Sequence, residues 1–215
     1  LRLSENHPVT LFCGDGWTYN GRIAHIERDI IQLIATEKSA LKTESPLSIT
    51  LCQSLCRGEK MDWIVQKATE LGVSKIIPVI SEHTEVRIPP NKSDKKLAHW
   101  QSIAIAAAEQ AKRQSVPRIL TPLPLPDLIE NRAIDPNAPL FVLSPDQGIT
   151  LSSLALTPTA CQCLIGPEGG FSDKEMAMFA QSSAHMVKMG PRVLRTETAA
   201  LTAIGLCQGI WGDLK

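Results

Sequence analysis

Leu164-Ile-Gly-Pro-Glu-Gly-Gly-Phe-Ser172 and Met189-Gly-Pro-Arg-Val-Leu-Arg-Thr-Glu-Thr-Ala199 decide how this chain is read. An apolar run from Cys161 to Ile165 predicts a strand entering a loop of three glycines and a proline. A helix is expected to open at Ser172, because Glu175 follows at the spacing of a capping box. The second stretch repeats the design: a strand from His185 to Met189, a Gly-Pro turn, and a helix opening near Thr196. Glycines at such turns let backbone approach a ligand with no Cβ in the way. Two strand-to-helix loops of this kind point to one shared ligand pocket; the plainer alternative is a pair of ordinary tight turns.

The spacing excludes the common nucleotide motifs. Gly166-x-x-Gly169-Gly170 is not G-x-G-x-x-G, and no Gly-Lys-Ser/Thr follows it. Residue chemistry alone therefore gives a small-molecule pocket at the carboxyl ends of strands.

Upstream, the pattern alternates strand and helix from Leu47: strand 49–55, helix 59–71 ended by Gly72, strand 75–80, a long helix from Ser93 to Gln114, strand 116–120, a short helix 127–132 and strand 140–143. Repeated βα units predict an α/β domain with a mostly parallel sheet, in which ligands bind beyond the carboxyl ends of strands. The loops at 144–148, 166–170 and 189–192 all take that position. Before Leu47 the chain reads as short strands over 9–13, 18–27 and 30–36, a small β-barrel in outline.

Composition bounds the partners. The 215 residues are 43% hydrophobic with four Trp, four Phe and one Tyr, so the core should be aliphatic. The net charge is zero, so no global basic field announces a nucleic acid, although a local patch is compatible with neutrality. No run of roughly 18 apolar residues and no signal peptide is seen, and the expected setting is soluble and cytoplasmic, away from membranes. The cysteine pairs Cys52/Cys56 and Cys161/Cys163 lack zinc spacing, and the five histidines are isolated, so no metal site is expected and the cysteines read as free and buried.

The two opening stretches, together with Lys60-Met-Asp-Trp-Ile-Val-Gln-Lys-Ala-Thr-Glu-Leu-Gly-Val73, Ser81-Glu-His-Thr-Glu-Val-Arg87 and Ala107-Ala-Glu-Gln-Ala-Lys-Arg-Gln-Ser-Val-Pro117, resemble the SPOUT methyltransferases. More narrowly, they resemble the family that methylates N3 of a uridine in 16S ribosomal RNA. The likeness covers essentially the whole chain. Ala111 stands where a serine or threonine is expected, and Pro191 falls where the family varies.

The resemblance implies a PUA-like RNA-binding β-barrel over residues 1–46, with an incomplete N-terminus, and a trefoil-knotted SPOUT domain over 47–215. It implies S-adenosyl-L-methionine as cofactor and 16S rRNA in the small ribosomal subunit as partner. It also implies a homodimer through the C-terminal helix, which is rich in small residues. Leu143, Ile165, Met189 and Leu194 are expected to form an apolar slot for the adenine, and Gly166, Pro167, Glu168, Gly169, Gly170, Gly190, Thr198 and Ala199 to complete the cofactor site. Arg195 is expected to stabilise the anion developing on the uracil carbonyls, or to hold a phosphate. Glu197 is expected to accept a proton, or to favour the helix N-terminus through its dipole. Arg2, Arg22, Arg28, Arg87, Lys112, Arg113, Arg118 and Arg192 are the candidate RNA contacts. Duplex RNA hides its pairing edges, so the target base must lie in a loop or be flipped out. Three rivals stay open: another rRNA or tRNA atom on the same scaffold, a non-catalytic RNA-binding protein, and a nucleotide-binding metabolic enzyme.

Overall fold

A computed structural model describes residues 3–14, 16–39, 43–130 and 135–215. The chain divides into two compact units, one of Leu1–Glu44 with Ala108–Val116, the other of Ser45–Ala107 with Pro117–Lys215.

In the first unit, strands β1 (Pro8–Phe12), β2 (Thr18–Ile26) and β3 (Ile31–Ser39) form an antiparallel sheet in the order β1-β2-β3. Where a barrel was expected, the described residues form this three-stranded sheet. Of its described strand residues only Thr18 and Ile23 are buried. Arg22 is exposed and hydrogen-bonded to the Asn6 side chain; Arg28 is exposed, and Arg2 lies outside the described residues.

The same unit contains the end of the long helix α2 (Pro90–Gln110). Sequence spacing predicted Ser93 to Gln114. Proline at the first helical position lacks only an N–H that would have no helical partner. At the other end, the Arg113 N–H donates to the Ala108 carbonyl at 2.9 Å and the Lys112 N–H to Glu109 at 3.2 Å, with Lys112 at φ 56°. This is a Schellman stop, and it ends the helix four residues early. It also turns Arg113 inward. Its side chain is 5% exposed and donates through Nη2 to Glu44 Oε2 at 2.6 Å and through Nε to Oε1 at 3.3 Å. The Gln114 and Ser115 N–H groups complete the carboxylate's shell. Arg113 is therefore a buried structural arginine, not the RNA contact expected of it, whereas Lys112 is exposed.

The second unit is an α/β layer structure. Its strands are β4 (Ser48–Ser54), β5 (Val73–Ile80), β6 (Arg118–Ile119), β7 (Leu123–Pro124), β8 (Leu140–Leu143), β9 (Ala160–Ile165) and β10 (His185–Val187). They form one sheet in the order β10-β8-β9-β4-β5-β6, with β7 beside β5. Every pairing is parallel. Parallel strands need covering on both faces. Helices α3 (Leu125–Glu130) and α4 (Asp173–Gln181) supply Leu125, Leu128 and Phe179 to one core layer with Cys52, Ile77, Val142 and Leu164. Helices α1 (Lys60–Glu70) and α5 (Thr196–Trp211) pack together on the other face, where Phe141 stacks on Trp211 at 5.4 Å between ring centroids. α1 is tied to α2 by Asp62, which accepts from Trp100 Nε1 at 2.9 Å and meets His99 and Lys96 at 2.7 and 3.2 Å.

Candidate functional site

The carboxyl ends of β8, β9 and β10 lie side by side, because β8 separates β9 from β10 in the sheet. The loops that follow these strands, with the start of α5, line one cavity of about 710 Å³. That falls within the range of about 300–1,000 Å³ usual for small-molecule sites. Hydrogen bonds from neighbouring elements brace these loops.

The loop after β8 is held against β10. Ser144 N donates to the Val187 carbonyl at 3.0 Å, and Ile149 N to Met186 at 3.1 Å. Gly148 makes this close approach possible: its φ is 126°, and a Cβ would stand 2.6 Å from the Met186 carbonyl oxygen.

The loop after β9 is fixed by α4 and by Ser81–Thr84. Ser172 caps α4 in a full capping box with Glu175. The Glu175 carboxylate, 5% exposed, accepts from both Ser172 N at 2.9 Å and Glu82 N at 2.8 Å. His83 Nδ1 stands 3.2 Å from the carbonyls of Gly169 and Gly170. The third brace is Thr196, the first residue of α5, which donates to the Gly166 carbonyl at 2.8 Å and accepts from Gln53 Nε2 at 3.0 Å.

Leu143, Ile165, Gly166, Pro167, Glu168, Gly169, Gly170, Met189, Gly190, Leu194 and Ala199 all line the cavity, as do Arg192 and Arg195. Thr198 does not; on α5 it stands away from the face shared by Thr196 and Ala199, and it is exposed. Glu197 does not line it either. Its side chain is 17% exposed and its Oε2 atom is buried with no hydrogen-bond partner. Arg87 and Arg118 are exposed in the same unit, away from the cavity wall.

Lys60 and the loop residue Asp146 also line the cavity and were not read from sequence as site residues. Lys60 opens α1 and donates to Glu168 Oε1 at 2.8 Å. Burial by itself raises the Glu168 pKa, but the Lys60 hydrogen bond and charge outweigh it and hold the carboxyl below its ordinary value. The Glu168 hydrogen bond in turn raises Lys60. Cys56 sits nearby, and burial, then the Glu168 charge, push its thiol up to about 11. It is a neutral thiol at pH 7, not a thiolate nucleophile.

Deeper in the unit Cys161, Cys163 and Cys207 bring their sulfurs within 4.8 Å of one another. Hydrogen bonding to Cys161 and Cys207, with burial, pushes Cys163 well above the usual thiol range. The pairing of Cys163 with Cys207 spans β9 and α5 and has no local sequence signal.

The cavity suits a cofactor with an apolar ring and a polar tail. Leu143, Ile165, Val187, Met189 and Leu194 supply apolar walls, while the Gly166–Gly170 and Gly190 backbones lie open to it. At Gly170, φ is 71° and nothing stands within 4 Å of where a Cβ would project, so the backbone is bare on that side.

Comparisons with known proteins follow the same outline. The family model described as an RNA methyltransferase domain matches residues 43–208. The ribosomal RNA small subunit methyltransferase E of Buchnera aphidicola (subsp. Schizaphis graminum) is 34% identical over 215 residues, covering 100% of this chain and 87% of the relative. The crystal structure of the enzyme of the same name from Neisseria gonorrhoeae, bound to S-adenosyl methionine, superposes with a TM-score of 0.92 at 35% identity, covering 100% of this chain and 87% of the other. A methyltransferase of Legionella pneumophila in complex with SAM gives 0.93 at 35% identity, covering 99% and 87%. This chain belongs to the RNA methyltransferases, within the ribosomal RNA small subunit methyltransferase E family.

Proposed function

We propose that this protein methylates N3 of a uridine in 16S rRNA of the small ribosomal subunit, using S-adenosyl-L-methionine. One observation carries the reading: the Gly166–Gly170 and Met189–Leu194 loops line a single cavity, with Arg192 and Arg195 on its wall. The fold that builds it is the one that binds S-adenosyl methionine in the Neisseria gonorrhoeae enzyme.

The cofactor supplies an electrophilic methyl group. Leu143, Ile165, Met189 and Leu194 take up its adenine, and the open backbone of the glycine loops takes up its polar groups. Fixing donor and acceptor in line supplies much of the acceleration. Arg195 has no carboxylate partner among the described residues, so its guanidinium is available to the negative charge that gathers on the uracil oxygens. Arg192, on the same wall, holds a flanking phosphate.

The finer architecture belongs to the same reading. The segment after β8 hydrogen-bonds along β10 and ends near α5, where Trp211 Nε1 donates to the Leu156 carbonyl at 2.9 Å. From β10 the chain returns past this segment to α5, which packs on β9 and β4. Passage of residues 188–215 through that loop makes the trefoil knot. Residues 1–46 act as a PUA-like RNA-binding module, in which Arg22 is exposed; Lys112, from the stretch 108–116 of the same compact unit, is exposed too. α5, with Leu206 exposed, forms the homodimer contact, and the enzyme works in the cytoplasm.

The test is to incubate the protein with labelled S-adenosylmethionine and, separately, unmodified small subunits, naked 16S RNA and transfer RNA, then map the label. N3-methyluridine in the small subunit is the expected result. Label on another atom or only on tRNA would replace the substrate, and cofactor binding with no label on any RNA would discard the substrate claim.

A further inference from the structure

Lys60 joins two carboxylates, one from the loop after β9 and one from α5. Its Nζ lies 2.8 Å from Glu168 Oε1, after β9, and 3.9 Å from Glu197 Oε2, in the first turn of α5. Glu168 and Lys60 line the cavity and Glu197 does not. The buried Glu197 oxygen has no hydrogen-bond partner, and a desolvated anion without a nearby cation is costly. Two adjacent carboxylates would also suppress each other's ionisation unless a cation stood between them. Among the described residues Lys60 is the cation within ion-pair distance of both.

We infer that Glu168 accepts the uracil N3 proton, and that Lys60 is the positioning residue that aims it. Glu197, which does not line the cavity, is the buried counter-charge that keeps Lys60 in place. The inference rests on the methyltransferase reading above. In the step, the N3–H bond breaks and its proton passes to a Glu168 carboxylate oxygen and then to solvent. The nitrogen pair forms the N–CH3 bond, and the carbon–sulfur pair stays with the donor sulfur. Even a weakly basic carboxylate serves when the anion formed is stabilised at the same site, here by Arg195. The hydrogen bond and charge of Lys60 hold Glu168 below its ordinary pKa, which places the acid limb of the rate profile at low pH.

The experiment measures kcat/KM against pH on unmodified small subunits for the wild type, Glu168→Gln, Lys60→Met and Lys60→Arg, with S-adenosylmethionine binding by calorimetry. Glu168→Gln is expected to lose about a hundredfold or more in kcat at saturating S-adenosylmethionine. Lys60→Met is expected to move the acid limb to higher pH, and Lys60→Arg to bring it back. A Glu168→Gln variant within threefold of wild type, or an unmoved limb in Lys60→Met, overturns the assignment. Absence of product from the wild type itself would discard the function and the acceptor role together. A carboxylate NMR titration then judges the positioning alone: the Glu168 resonance titrating at higher pH in Lys60→Met upholds it, and no change overturns it.

Discussion

The Thr196 hydroxyl donates to the Gly166 carbonyl oxygen at 2.8 Å while accepting from the fully buried Gln53 amide at 3.0 Å. One side chain thereby fixes the start of α5 to the loop after β9 and to the end of β4. Thr196→Val keeps the shape but leaves the Gln53 amide and the Gly166 carbonyl short of a partner. It should cost about 1–3 kcal/mol of stability and loosen the cavity wall enough to weaken S-adenosylmethionine by roughly tenfold. Thermal melts and calorimetric titration check both; an unchanged affinity would mean that the loop holds without this bond.

Arg195 is exposed on the cavity wall. Arg195→Ala should lower kcat by about 100- to 1,000-fold with stability within about 0.5 kcal/mol of wild type. Single-turnover methyl transfer beside a melting curve separates the two, and an active variant would remove Arg195 from the chemistry.

A Cβ on Gly169 would stand 3.1 Å from the His83 Cβ, so a side chain there presses on the neighbouring loop and displaces the glycine turn. Gly169→Val should weaken cofactor binding by about tenfold or more. Equilibrium binding of labelled S-adenosylmethionine reads this directly; full affinity would show that His83 gives way instead.

Acid should loosen the first unit through Glu44. Burial raises this carboxyl, but hydrogen bonds from Arg113 and Ser115 and the Arg113 charge bring it below its ordinary 4.5. Its contribution is therefore complete above that value and is lost as pH falls through the lower folded-state value. Glu44→Gln should remove about 2 kcal/mol, less than for a fully sealed pair because the Glu44 side chain is 31% exposed. Amide hydrogen exchange at residues 108–116, measured against pH, should show the variant already loosened at neutrality and the wild type only in acid.

Much of the site was legible because its parts are local. Strand β9, the glycine turn and the Ser172–Glu175 capping box occupy one continuous stretch, where periodicity and cap spacing act over a few residues. Most of the second unit's strands and helices followed the predicted alternation for the same reason. The early end of α2 was not legible, because Lys112 adopts a left-handed conformation that its residue type does not announce. Nor was the fate of Arg113: a basic residue near a helix end reads as surface until Glu44 is seen beside it.

The residues by themselves determined that this chain alternates strands with helices and places glycine loops after β9 and near β10, and their pattern marked the methyltransferase family. Only the tertiary structure decided which side chains share the cavity. Setting β8 between β9 and β10 brings three loops to one edge, and packing α1 beside α5 carries Lys60 to Glu168 across 108 positions of sequence. Such meetings depend on burying whole helix and sheet faces against one another, and no local spacing along the chain encodes the partner that burial selects.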